Sequence, residues 1–174
     1  MTFNRIFLIG FMGSGKSSTG KKLANLLHFD FFDTDTEIER ITGKTISQIF
    51  ATDGEDFFRE KEREIIAGLS QKDNVVVSTG GGTPCFFDNM QLMNQTGLTI
   101  YLHANPKMLK QRLITNKKQR PLLNNVPNEK LEIHIVELLF QRGYYYRQSQ
   151  ITVEAFNITA KKLLEVFSTS STPL

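Results

Sequence analysis

Residues 10–17, Gly-Phe-Met-Gly-Ser-Gly-Lys-Ser, fit the spacing G-x-x-x-x-G-K-[ST] at every fixed position. The chemistry of that spacing is phosphate binding. Glycines at 10, 13 and 15 let the backbone curl with its N–H groups inward, and a helix opening at residue 16 adds its positive dipole end. The expected contacts to the phosphates of ATP are therefore Gly13, Ser14, Gly15, Lys16, Ser17 and Ser18. Lys16 is expected at the β- and γ-phosphates as a catalytic charge. The Ser17 hydroxyl is expected on Mg²⁺, which bridges the same phosphates. A switch GTPase is not expected, because no glycine has an aspartate three residues before it. Asn116-Lys-Lys-Gln119 also ends without the carboxylate that chelates guanine.

Phe32-Asp-Thr-Asp35 supplies two acids two residues apart at the end of an apolar run. Carboxyl ends of parallel strands face the ligand crevice. Asp33 suits a water of the Mg²⁺ shell and Asp35 suits a substrate hydroxyl, which it would align or deprotonate; helix N-capping is the bland alternative for both. In Phe57-Phe-Arg-Glu-Lys-Glu-Arg-Glu64, Arg59 and Glu62 share a helix face, so a carboxylate would hold the guanidinium in one rotamer. Without other context that segment reads as a solvated, charge-laced surface. Val75-Val-Val-Ser-Thr-Gly-Gly-Gly82 runs a buried strand into three successive glycines, where something approaches the backbone closely; Gly80, Gly81 and Gly82 would offer bare N–H groups to a polar ligand. Between Lys107 and Arg120 stand six basic residues and no acidic one, and Arg120 on a closing loop would act as a finger over the phosphates. Arg142 and Arg147 sit among tyrosines, and one of them would reach the crevice. Cys85 is expected to be a small packing residue.

These residues need a frame that brings them together. Short Ile, Val and Phe runs at 5–9, 29–32, 74–78, 98–102 and 151–154 alternate with helical periodicity at 16–27, 34–40, 56–69, 88–94, 105–115, 128–142 and 160–167. That alternation predicts an α/β fold built of βαβ units on a parallel sheet. Residues 116–127 carry no periodicity and read as a long loop, and the polar end from about 168 to 174 as a flexible tail. At 174 residues, 40% hydrophobic and 22% charged, the chain predicts one globular domain. The balance of 21 basic and 18 acidic residues, +3, makes neither nucleic acid nor a membrane surface an expected partner. With a single cysteine and no apolar run of about 20 residues, a reducing cytoplasmic location is expected.

Taken in order, residues 10–17, Phe32-Asp-Thr-Asp35, Phe58-Arg-Glu60, Ser78-Thr-Gly-Gly-Gly82, Arg120-Pro-Leu-Leu123 and Arg142 with Tyr146 closely resemble the shikimate kinase family over nearly the whole chain. The resemblance implies a nucleoside-monophosphate-kinase-like, three-layer α/β/α fold, with a five-stranded parallel sheet in order 2-3-1-4-5 and a lid at about 112–125. It implies a monomer that moves the γ-phosphate of ATP to the 3-hydroxyl of shikimate with Mg²⁺. Arg59 and Arg142 would meet the shikimate carboxylate, and Asp35 with Gly80, Gly81 and Gly82 its ring hydroxyls. Lys16, Asp35 and Arg120 would be the catalytic set. Two positions depart from the family pattern. Tyr144 replaces a proline, and Leu113 replaces the arginine that stacks on adenine, for which Arg112 or Lys117 are the candidate substitutes. The adenine loop falls near residues 156–158, with Asn157 as its expected ATP contact. The alternative is another small-molecule P-loop kinase of gluconate or nucleotide type.

Overall fold

The apolar runs become five strands: β1 (Arg5–Ile9), β2 (Asp30–Asp33), β3 (Val75–Ser78), β4 (Leu98–His103) and β5 (Ile151–Glu154). All neighbours are parallel, in the order β2-β3-β1-β4-β5. The coordinates are those of a computed structural model, which describes residues 3–115 and 126–169, the side chains of 167–169 excepted. Eight helices are present among the described residues: α1 (Lys16–Leu27), α2 (Thr34–Thr42), α3 (Ile46–Thr52), α4 (Gly54–Leu69), α5 (Asn89–Thr96), α6 (Pro106–Thr115), α7 (Leu131–Tyr146) and α8 (Ala160–Thr169). None is long and apolar enough to cross a membrane.

Parallel strands bury both faces, and successive residues of β1 divide between them. Ile6 and Leu8 pack with Leu23 of α1, Leu109 of α6, Ile135 of α7 and Leu163 of α8. Phe7 and Ile9 pack with Ile38 of α2, Ile49 of α3, Ile66 of α4, Met93 of α5 and Tyr146 of α7. Helix α7 thus reaches both layers. The result is the expected three-layer α/β/α architecture with the expected strand order.

Two elements differ from the sequence expectation by more than two residues at an end. Helix α3 was not expected, yet its N-terminus carries a capping box in which Thr45 accepts from the Gln48 N–H and the Gln48 side chain accepts from the Thr45 N–H. The Thr-x-x-Gln spacing was the available signal. Helix α7 was expected over 128–142 but spans Leu131–Tyr146, because Gly143 does not stop it. A Cβ on Gly143 would lie 2.8 Å from Nη1 of Arg147, the movable end of an exposed side chain. The extension brings Tyr146 onto the buried side of the helix with Arg142.

The register places the ends of three strands side by side. Asp33 pairs with Ser78, and Ser78 pairs with Leu8 one residue before the end of β1. The loop after β1, the start of α2 and the glycines after β3 therefore share one edge of the sheet, where open α/β folds bind ligands.

Candidate active site

Between β1 and α1 the chain turns through Gly10, Gly13 and Gly15, with φ of 143°, 82° and 101°. Such angles strain any residue with a Cβ. A Cβ on Gly10 would also stand 2.8 Å from the Leu102 carbonyl of β4. Gly15 is the N-cap of α1 and has no side chain to cap the first turn, which suits that turn to an anion. Lys16 is buried, and its Nζ donates to the carbonyl oxygens of Gly10 at 2.6 Å and Phe11 at 2.9 Å, which holds the ammonium within the loop. Ser14 is fully buried, with no partner for its hydroxyl among the described residues, so what it can offer a ligand is backbone. Ser18 turns its hydroxyl onto the Gly15 carbonyl at 3.0 Å.

Ser17 donates to Asp33 Oδ2 at 2.6 Å and lies 3.2 Å from the Ser78 hydroxyl. One hydroxyl and one carboxylate form a hard oxygen set that leaves most positions of an octahedral cation to water and phosphate, which fits Mg²⁺. Among the described residues no three His, Cys, Asp or Glu side chains gather into a metal cage. Asp33 occupies the N-cap position of α2 without making a side-chain cap bond, so the bland capping alternative does not describe it. Asp35 sits in the first turn of α2.

These groups line one cavity of about 740 Å³, which runs from Asn157 and Thr115 over the loop to Asp35, Gly80 and Gly81. Gly80 and Gly81 line its far end, with Gly82 next in the chain. None of the three has a left-handed φ, so what they supply is room. A Cβ on Gly80 would meet Glu62 Oε1 at 2.7 Å, one on Gly81 would meet Arg142 Nη1 at 3.4 Å, and one on Gly82 would meet Arg59 Nη1 at 2.6 Å. The close approach expected from the sequence is thus made first by the protein's own atoms, side chains at Gly80 and Gly82 and the Met12 backbone nitrogen, at 3.3 Å, together with Arg142 at Gly81. The expectation that all three N–H groups face a ligand is corrected for Gly80, whose N–H donates to Thr34 Oγ1 at 2.8 Å.

Arg59 and Glu62 are 4% and 1% exposed, which overturns the solvated-surface reading for these two, while Lys61 and Glu64 on the same helix do form an ordinary surface pair. Arg59 Nη1 donates to Glu62 at 2.6 Å, Nη2 and Nε donate to Glu55 at 2.7 and 3.1 Å, and the Phe86 ring centroid lies 3.9 Å from Cζ. Burial pushes the Glu62 carboxyl upward, and Arg59 and a hydroxyl bond from Thr83 oppose that. Arg142 is buried too, and its Nη1 has no partner among the described residues. The Tyr146 hydroxyl, pushed up chiefly by burial, donates to the Gly81 carbonyl. Burial also pushes the Cys85 thiol to about 11 against the pull of Arg142 and Arg59, in keeping with a packing role. A buried guanidinium with an unused donor, beside a second arginine fixed in place, is a receptor for an anion such as a carboxylate.

A sequence profile of shikimate kinases matches residues 12–169. This chain belongs to the shikimate kinase family. A shikimate kinase of Azobacteroides pseudotrichonymphae genomovar. CFP2 is 44% identical over 162 residues, covering 92% of this chain and 95% of that protein. The crystal structure of the shikimate kinase of Bacteroides thetaiotaomicron superposes with a TM-score of 0.91 at 38% identity, covering 96% and 99% of the two chains. That of Acinetobacter baumannii in complex with shikimate gives 0.90 at 35% identity, covering 99% and 97%.

In this shikimate kinase family member the two departures at residues 112–113 and 144 have visible consequences. Leu113 packs on Gly13 at 3.4 Å from its Cβ position, and Arg112 Nη1 donates to the carbonyls of Gly13 and Ser14, both at 3.1 Å. Arg112 therefore braces the phosphate loop while lining the cavity near Asn157, which holds a left-handed φ of 55°. Tyr144 points outward, 69% exposed, and α7 runs through it unbroken. Arg147 is exposed, which leaves Arg142 as the buried arginine of the pair. Lys117, Arg120, most of the expected lid and the end of the tail lie outside the described residues. Sequence reasoning missed Glu55, Ser78, Thr83 and Phe86 as neighbours of the site; for Glu55 the i, i+4 spacing to Arg59 was a signal.

Proposed function

We propose that this protein is a shikimate kinase that transfers the γ-phosphate of ATP to the 3-hydroxyl of shikimate. The observation that carries the reading is the buried Nη1 of Arg142, without a partner among the described residues, behind Gly81 at the Asp35 end of a cavity whose other end is a phosphate loop, with the fixed Arg59 behind the next glycine. A small anion bearing hydroxyls complements that set: its acid takes Arg142 and Arg59, its hydroxyls take Asp35 and the N–H groups near Gly81 and Gly82.

In this reading ATP lies with its adenine by Asn157 and its phosphates on Gly13, Ser14, Gly15 and Ser18. Lys16 leaves the Gly10 and Phe11 carbonyls for the β- and γ-oxygens. Arg120 adds charge from a lid at about 112–125. Mg²⁺, held through Ser17 and by way of Asp33, neutralises phosphate charge when bound. Asp35 orients the 3-hydroxyl and accepts its proton as the oxygen–phosphorus bond forms and ADP departs. The chain works as a single, monomeric kinase domain in the cytoplasm. The test is ADP release from MgATP with shikimate, with quinate or gluconate, and with no acceptor. Turnover that requires shikimate supports the reading. Equal release with every addition overturns it.

A further inference from the structure

Arg59 is held by more than its own helix. The triple glycine is followed by a 3-10 turn, Thr83–Cys85, and then Phe86. Thr83 is fully buried, and its hydroxyl donates to Glu62 Oε1, the carboxylate oxygen that Arg59 does not use. Thr83 is itself anchored: its N–H donates to the Gly80 carbonyl at 3.2 Å and its carbonyl accepts from Asn89 Nδ2 at 2.9 Å. Three residues on, the Phe86 ring lies over the Arg59 guanidinium at 3.9 Å.

A buried carboxylate with one donor can turn about its last torsion, whereas one with a donor on each oxygen has its plane fixed. The plane of Glu62 sets where Arg59 Nη1 points, and the flat face of Phe86 leaves the guanidinium one plane to occupy. We propose that residues 83–86 are a positioning element for the substrate's acid group, Thr83 by fixing Glu62 and Phe86 by fixing Arg59. The inference rests on the reading of Arg59 as a shikimate ligand. An arginine so preset loses little rotamer freedom on binding, so its effect belongs in substrate affinity and not in the phosphoryl step.

The experiment is steady-state kinetics of Thr83→Val, Thr83→Ser and Phe86→Leu, with thermal melting of each. Thr83→Val keeps the shape and removes the donor, and is expected to raise the shikimate KM about tenfold, with kcat and the ATP KM unchanged. Thr83→Ser restores the donor and is expected to restore the KM. Phe86→Leu leaves the Thr83–Glu62 hydrogen bond in place and is expected to raise the shikimate KM about threefold with the same split. A pH series separates positioning from packing. Glu62 is faced by Arg59 on its own helix, Asp35 on α2, Cys85 on the turn and, beside Cys85, Arg142 on α7. Without the Thr83 hydroxyl Glu62 takes up its proton at higher pH, so the acid-side rise in shikimate KM begins at higher pH in Thr83→Val than in wild type. The carboxylate of shikimate is common to both measurements. An unchanged shikimate KM in Thr83→Val and Phe86→Leu, or equal rises in both substrates' KM with lowered melting, overturns the proposal. A wild-type enzyme that ignores shikimate overturns the underlying reading instead.

Discussion

Gly82→Ala isolates the reason for the third glycine. Gly82 has φ −95° and ψ −21°, a conformation open to any residue, so alanine brings no backbone strain. The added Cβ would lie 2.6 Å from Arg59 Nη1, 3.0 Å from Nη2 and 3.1 Å from Cζ. Ordinary contact begins at 3.4 Å, and 3.4 − 2.6 leaves 0.8 Å by which the guanidinium must retreat. Its retreat is opposed by Glu62, by Glu55 and by the Phe86 ring. A ligand-binding group displaced by about 1 Å costs up to about 100-fold, so a shikimate KM about 30-fold higher, about 2 kcal/mol, is expected. The assay is coupled ADP release, varying shikimate at saturating MgATP and then ATP at saturating shikimate; only the first KM should move. Gly68→Ala is the control. Gly68 is exposed in α4, with nothing within 4 Å of its Cβ position, so alanine there should raise stability by about 0.5 to 1 kcal/mol with kinetics unchanged. A Gly82→Ala enzyme with wild-type melting and a wild-type shikimate KM would refute the claim that the glycine exists to admit Arg59. Equal rises in both KM values would do so as well.

Lys16→Ala should lower kcat by about 100- to 1,000-fold, since it removes charge placed for the transferring phosphoryl group; near-normal turnover in the same assay would reject that role. Asp33→Asn should raise the Mg²⁺ concentration needed for half-maximal rate and leave the shikimate KM alone, because Asp33 meets Ser17 and not the arginines. A shift in shikimate KM would place Asp33 on the acceptor side. Cys85, its thiol pushed up to about 11, should react with iodoacetamide at pH 8 about 200-fold more slowly than an ordinary thiol of pKa about 8.5. Because the thiolate is the reactive form and the folded value is raised, its rate should keep climbing as pH rises through 9 and 10. A plateau by pH 9 would contradict the burial argument.

The sequence by itself carried the phosphate loop, because its chemistry is local: eight consecutive residues make the turn, the donors and the helix start. It carried the sheet for a similar reason, since parallel strands buried on both faces are short apolar runs wherever they occur. Residues that act through their own helix were legible too, and Arg59 pairs with Glu62 as an i, i+3 spacing allows. What sequence could not decide was whether that pair faced water or core. Burial came from packing α4 against the turn after β3, which no spacing along α4 records. The glycines at 80–82 announced a close approach without naming the visitor. Glu62, Arg142 and Arg59 arrive there from α4 and α7, at sequence separations that only the folded sheet closes. Thr83 and Phe86 gave no signal, since a threonine and a phenylalanine after a turn look the same whether they fill space or hold an arginine. The fold alone brought Glu62 to the one and Arg59 to the other.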